Sequence, residues 1–270
     1  MNRNGWTQRV AHAAVLATLA LVSIPSGAQS NGAPQAPEQS DSNWCAPELE
    51  SVGGTNCYWL ASKDRPLVIF LHGLTGAGST WQWDQQRMYV RLAQQHKFSA
   101  LIPRGRRGIG PGRDPNILGW PNSQRAQDEV EHEVLSEIAA ARQSLEQRVG
   151  KFSTVFVFGF SAGAYYATSL MLREKLEVDG FAAFAGGSGN EYQELQAKRV
   201  KRRIPMFLGY GKKDPDRKRQ QQLANLLKDL DWPHRVVAAD VGHTVTREQI
   251  EAALEFLSQA QNVPSKTVAP

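Results

Sequence analysis

The five residues Gly159-Phe160-Ser161-Ala162-Gly163 set a hydroxyl between two glycines. The run 153–158 before them reads as an apolar strand and 162–175 after them as a helix, so the serine falls at a tight strand-to-helix reversal. At such a turn a side chain two residues before or after the serine meets backbone, which accounts for both glycines. The helix behind Ser161 turns its N-terminal amides toward negative charge on the oxygen. A serine hydroxyl is a poor nucleophile until a base takes its proton. Six histidines are candidates. His12 lies in an N-terminal apolar segment, His96 and His132 in helical surface contexts, and His234 at the start of a strand. His243, in "ADVGHTVT", follows the last strand of the chain, and the glycine before it lets the loop bend. The base in turn needs a carboxylate that holds its tautomer and stabilises the imidazolium. Asp214 in "GKKDPDRK" is the first choice; Asp216 and Asp240 remain as alternatives. The chemistry these types supply together is acyl transfer through a serine. Its oxyanion needs amides already in place: that of Ala162, directly after the nucleophile, and one from the glycine-rich "HGLTGAG", for which Leu74 is the candidate. His72, which opens that loop, then braces it rather than acting as base.

These residues need a scaffold that gathers them. Apolar runs at 66–73, 98–103, 153–158, 180–186, 204–210 and 234–240 read as strands. Helical patterns fall at 80–95, 125–148, 162–175, 191–201 and 246–259, and the stripe Val130, Val134, Ile138, Ala141 and Leu145 marks the buried face of the second. Residues 104–122 read as a Gly/Arg/Pro-rich loop. Strands alternating with helices imply a mostly parallel sheet covered on both faces, a three-layer α/β sandwich. In such a sheet the loops after the carboxyl ends of strands share one edge, which brings Ser161, Asp214 and His243 together.

The 270 residues allow one sizeable domain, expected over 44–262. Residues 1–28 carry Arg3 and Arg9, an apolar run from Ala11 to Ile24 and small residues to Ala28, the layout of a secretory signal peptide. A polar linker at 29–43 and a frayed tail at 263–270 complete the chain, and export to the periplasm or medium is expected. In an oxidising compartment Cys45 and Cys57 read as a disulfide pinning an N-terminal strand or hairpin.

The pieces "PLVIFLHGLTGAGSTW", "ALIPRG", Trp120 before "QDEV", "VFVFGFSAGAYYA", "FLGYGKKDPD" and "VGHT" span about residues 57 to 258. Together the chain resembles an α/β-hydrolase, and more narrowly the secreted esterases that include feruloyl esterases and polyhydroxybutyrate depolymerases. The order Ser161, Asp214, His243 is the order of that superfamily. The resemblance implies ester hydrolysis through an acyl-enzyme, without cofactor. Only 16 residues separate "AAFAGG" from "IPMFLGY", too few for a separate cap domain, so an open site for a bulky or polymeric ester is expected. Trp81, Trp83 and Trp120 are candidates for an aromatic platform. Arg104, Arg106, Arg107 and Arg113 are candidates for an anion contact, though a solvated charge run is the plainer reading.

Several classes are set aside. A net charge of +5 with no basic stripe interleaved with aromatics does not suit nucleic acid. No histidine pair or cysteine cluster has metal-ligand spacing, and no phosphate or dinucleotide loop is present. After signal cleavage no stable membrane association is expected. A peptidase of the same fold and a non-catalytic binding protein are the competing functions.

Overall fold

The computed structural model describes residues 44–62, 64–76 and 79–261. The signal peptide, linker and tail expected from the sequence lie outside the described residues. In chain order the strands are β1 (Glu50–Val52), β2 (Asn56–Trp59), β3 (Leu67–Leu71), β4 (Thr75–Gly76), β5 (Ser99–Pro103), β6 (Arg106–Arg107), β7 (Ile117–Gly119), β8 (Val155–Phe160), β9 (Gly180–Phe184), β10 (Met206–Gly211) and β11 (His234–Ala239). The helices are α1 (Thr80–His96), α2 (Gln124–Ala126), α3 (His132–Val149), α4 (Ala162–Leu172), α5 (Glu191–Ala197), α6 (Arg217–Asp229) and α7 (Arg247–Ala260).

The main sheet runs β1-β2-β5-β3-β8-β9-β10-β11. The six strands from β5 to β11 are parallel; β2 joins β5 antiparallel, and β1 hairpins back on β2. Continuous apolar runs form these central strands because both faces are covered. In β3, Leu67, Ile69 and Leu71 face one core, shared with Val134, Ile138 and Leu145 of α3, Tyr166 and Leu170 of α4 and Leu223 of α6. Val68 and Phe70 face the other, shared with Tyr89 and Leu92 of α1 and Ile250 and Leu257 of α7. The strand alternation thus divides one run of hydrophobic residues between two helix layers, and the α/β-hydrolase sandwich follows.

Three features depart from the sequence reading. Residues 104–122 are not a plain loop: β6 and β7 pair antiparallel there, and β7 also pairs with β4, making a small second sheet above the main one. A helix, α6, stands where none was expected. The amphipathic helix expected over 125–148 begins as α2, passes through a π turn at Gln127–Glu131 and continues as α3. The π turn widens the helix where Glu131, nearly buried, meets Arg173 at the end of α4 in a two-pronged ion pair of 2.6 and 2.8 Å.

Cys45 and Cys57 form a disulfide with Cα atoms 5.3 Å apart, joining the segment before β1 to β2. Among the described residues no helix is long and apolar enough to cross a membrane.

Phe158 is fully buried in β8, 5.7 Å from Phe184 and 6.5 Å from Tyr89 between ring centres. Phe158→Ala is expected to lower stability by about 3–5 kcal/mol through lost burial and a residual cavity, read from the urea midpoint with an unchanged slope.

Candidate active site

Ser161 sits between β8 and α4 with φ 51° and ψ −116°, a conformation few side-chain-bearing residues adopt. Both neighbouring glycines are required by space. A Cβ on Gly159 would lie 2.7 Å from the Cα of Ala164, and one on Gly163 would run into the carbonyls of Leu71 and His72. The turn therefore stands against the end of β3 with no room between. The backbone at Gly73 passes directly beside it, since a Cβ there would lie 3.2 Å from the Cβ of Ser161.

His243 lies in the loop between β11 and α7, and its Nε2 is 2.9 Å from Ser161 Oγ. Its Nδ1 is 3.0 Å from Oδ2 of Asp214, which follows β10 and is wholly buried. The second oxygen of Asp214 accepts the backbone N–H of Asp216 at 2.8 Å. With Nδ1–H donating to Asp214, Nε2 is left to accept the serine proton. The alternatives for the acid stand elsewhere: the Asp216 carboxylate lies 4.0 Å from Arg219, and Asp240 pairs with Lys213 at 3.2 Å.

The Asp214 and His243 loops hold each other. The N–H groups of Lys212 and Lys213 donate to the carbonyls of Ala239 and Val241 at 2.8 and 3.0 Å. Gly211 packs so closely on Val241 and Gly242 that a Cβ would overlap their carbonyls. A Cβ on Gly242, in contrast, would meet nothing. The glycine this geometry requires is Gly211, not the one before the histidine.

His72 is buried and tied at both ring nitrogens. Nε2 accepts the N–H of Gly105 at 2.9 Å and Nδ1 donates to the carbonyl of Gly73 at 2.5 Å. Those roles require a neutral ring, and burial pushes its pKa down to about 4 against the opposing pull of the Gly73 carbonyl.

A cavity of about 870 Å³ opens over Ser161. Leu74, Ile109 and Trp120 form its apolar wall; Tyr192, Gln193 and Gln196 of α5 face it across the opening. No separate cap is present among the described residues, yet the small sheet and α5 wall the site more than the expected open surface. Asn122 donates to the carbonyl of Ala162 at 2.9 Å and so fixes the cavity floor beside the serine; nothing in its sequence context marks it. Among the residues read as substrate contacts, Trp120 reaches the cavity, though most of its ring is buried on Tyr166. Trp81 packs from α1 against Phe160 instead, and Trp83 lies under Arg87. Neither they nor Arg104, half-buried, is part of the lining. Arg113 lines it but pairs with Glu129 at 2.6 Å, while Arg106 pairs with Glu137 and Arg107 reaches the Pro115 carbonyl. These arginines are engaged with the protein rather than gathered as an anion site. Among the described residues no cluster of histidine, cysteine and carboxylate ligands is placed to hold a metal.

The chain belongs to the phospholipase/carboxylesterase family, whose model residues 60–261 match, and so to the serine ester hydrolases of the α/β-hydrolase superfamily. A search of curated proteins finds no significant match. Among solved structures, the chain is similar to esterase PE8 at 19% identity and a TM-score of 0.57, covering 76% of this chain and 98% of that one. It is similar to the Bacillus cereus carboxylesterase at 18% and 0.52, covering 76% and 93%. It is also similar to Arabidopsis thaliana SOBER1 at 15% and 0.53, covering 73% and 99%. At these identities the likeness concerns the fold.

The buried neutral His72 ties stability to pH. Unfolded, the ring takes a proton below about 6.5; folded, it resists protonation down to about 4. Within that window the unfolded state binds the extra proton, so stability present above pH 6.5 is lost as pH falls toward 4. Urea unfolding at pH 7 and pH 4.5 is expected to differ by about 2–3 kcal/mol from this group. His72→Asn, which cannot charge, should show a smaller acid loss.

Proposed function

We propose that the protein cleaves carboxylic esters through an acyl-enzyme on Ser161, with His243 as general base and then general acid. Asp214 orients the imidazole, and the amides of Ala162 and Leu74 receive the oxyanion. Ser161 Oγ attacks the ester carbon while its proton passes to His243 Nε2. The carbonyl oxygen becomes an oxyanion facing the two amides. Collapse breaks the bond to the alcohol, which leaves with the proton from His243. Water, deprotonated by the same nitrogen, then attacks the acyl-enzyme, and the carboxylic acid departs from a regenerated serine. The observation that carries this reading is the continuous hydrogen-bonded line from Ser161 Oγ through His243 to the buried Asp214, at 2.9 and 3.0 Å.

The resemblance to feruloyl esterases and hydroxybutyrate depolymerases supports a short or aromatic acyl group. The cavity supports the same choice. Trp120 and Tyr192 offer ring faces, whereas the carboxamides of Gln193 and Gln196 disfavour a long aliphatic chain, whose burial would strip them of water. Export is supported by the signal-like segment and by the Cys45–Cys57 bond, which suits an oxidising compartment.

The test is hydrolysis of a panel of short and long p-nitrophenyl esters, methyl ferulate, a hydroxybutyrate oligomer and a peptide anilide. Ser161→Ala is expected to lower kcat by about 10⁴–10⁶-fold with the fold intact, and Asp214→Asn by about 10⁴-fold. Asp216→Asn should retain activity of the wild-type order. Full turnover by Ser161→Ala would sink the mechanism. Cleavage of the anilide alone would favour the peptidase, and silence across the panel the binding protein.

A further inference from the structure

The Gly73–Leu74 peptide is the part of the proposed oxyanion site that lacks a helix to hold it. Its carbonyl is the Gly73 oxygen and its N–H is that of Leu74, and a trans peptide keeps the two in one plane pointing opposite ways. The bond from His72 Nδ1 to the Gly73 carbonyl therefore sets the direction of the Leu74 N–H. Whatever fixes the His72 ring fixes that donor. One side of the ring is packed by Trp120, at 4.9 Å between centres, itself tied by its indole N–H to the His72 carbonyl at 2.7 Å. A second contact comes from Trp44, also at 4.9 Å.

Trp44 is remote in sequence, belongs to neither helix layer nor sheet, and yet is held unusually well. Its carbonyl accepts the side-chain amides of Gln82 at 3.0 Å and Gln86 at 2.8 Å, both buried on α1. Gln86 also accepts the N–H of Ala46 at 2.7 Å. The residue between, Cys45, is bonded to Cys57 in β2. Two buried glutamines and a disulfide thus fix three residues whose one large side chain rests on His72. The indole N–H of Trp44 is buried without an acceptor, which is unfavourable. The ring contact, not its polar atom, is what the position uses.

We propose that Trp44, tethered by the Cys45–Cys57 bond, is a positioning residue for ester hydrolysis. It holds the His72 ring and through it the Leu74 amide that receives the oxyanion, so that thiol reduction of the disulfide lowers turnover. This rests on the site reading given above. An oxyanion contact forms only as the carbonyl becomes tetrahedral, so loosening it lowers kcat and leaves KM in place. A misplacement of about 1 Å at such a donor lowers the rate about 100-fold.

The experiment measures kcat and KM on a short p-nitrophenyl ester for wild type, Trp44→Ala, Trp44→Phe and Cys45→Ser/Cys57→Ser, each below its melting temperature. Trp44→Ala is expected to lose about 10–100-fold in kcat with KM nearly constant. Trp44→Phe, which keeps a ring and removes the unpartnered N–H, should restore turnover. Wild type treated with a dithiol should lose kcat as both cysteine sulfurs gain a proton and an electron and the dithiol leaves as its cyclic disulfide. Reoxidation should recover it, and the double serine variant should be low from the start and unresponsive. In a Leu74→Pro background, which lacks the amide, Trp44→Ala should add no further loss. Should Trp44→Ala fail to fold, the dithiol response of wild type decides. Unchanged kcat on reduction or in folded Trp44→Ala, a loss confined to KM, or losses additive with Leu74→Pro would each overturn the proposal. Activity retained by Ser161→Ala overturns the site reading instead; activity lost there but indifferent to Trp44 overturns only the positioning.

Discussion

The Gly163 backbone and the Leu71 carbonyl approach so closely that no Cβ fits between them. This contact between the start of α4 and the end of β3 fixes where Ser161 stands. It lets Ser161 rise at φ 51° out of the β8-to-α4 turn, a backbone state held only where the surroundings leave no alternative. The surroundings here are the paired strands β3 and β8, whose register matches Leu71 to Gly159, and the second close approach of Gly186 to the Ser161 carbonyl. Strain at one residue is thus opposed by packing on two sides together with backbone bonds, the Ser161 N–H donating to Phe184 and its carbonyl accepting from Ala164 and Tyr165.

Asp214 and His243 are placed by a separate device. β10 and β11 are parallel neighbours in register from Met206 and His234 to Gly211 and Ala239, so their exit loops must leave side by side. The missing side chain at Gly211 lets the loops touch, and backbone bonds from Lys212 and Lys213 then lock them. Asp214 and His243 are a pair before the serine is considered. Joining Ser161 to this pair needs only one further relation, the distance between the β8 turn and the β11 loop, and Phe160 sets part of it by packing 5.5 Å from the His243 ring.

What the sequence made legible follows the same division. Strands buried on both faces announce themselves as apolar runs, and G-x-S-x-G carries its own spatial requirement, so β3, β8 and the serine could be read directly. The order of the parallel exit loops then pointed to Asp214 and His243. Helix α6 escaped because its first turns, "RKRQQQ", carry no apolar stripe: the residue buried there is the carboxamide Gln220, and the apolar Leu223, Leu226 and Leu227 follow it. The small sheet escaped because β4 and β6 are two residues each, shorter than any alternation can reveal. Trp81 and Trp83 looked alike in sequence to Trp120. What separates them is that α1 turns its tryptophans toward Phe160 and Arg87, while Trp120 is drawn beneath the cavity by the His72 carbonyl.

Gln82 and Gln86 illustrate a kind of information that no periodicity carries. On a helix face that buries Tyr89, Leu92 and Ala93, two carboxamides at i and i+4 look like misplaced surface residues. A buried polar group is tolerated when its partners are made, and the Trp44 carbonyl is the partner of both. A carbonyl with two fixed donors cannot slide along the helix as a purely apolar contact could, so the pair specifies one position for the segment where a hydrophobic patch would specify several. The disulfide limits how far that segment strays, and the glutamines decide where within that range it rests. Together they turn a short piece of chain outside the sheet into a fixed wall behind the His72 ring.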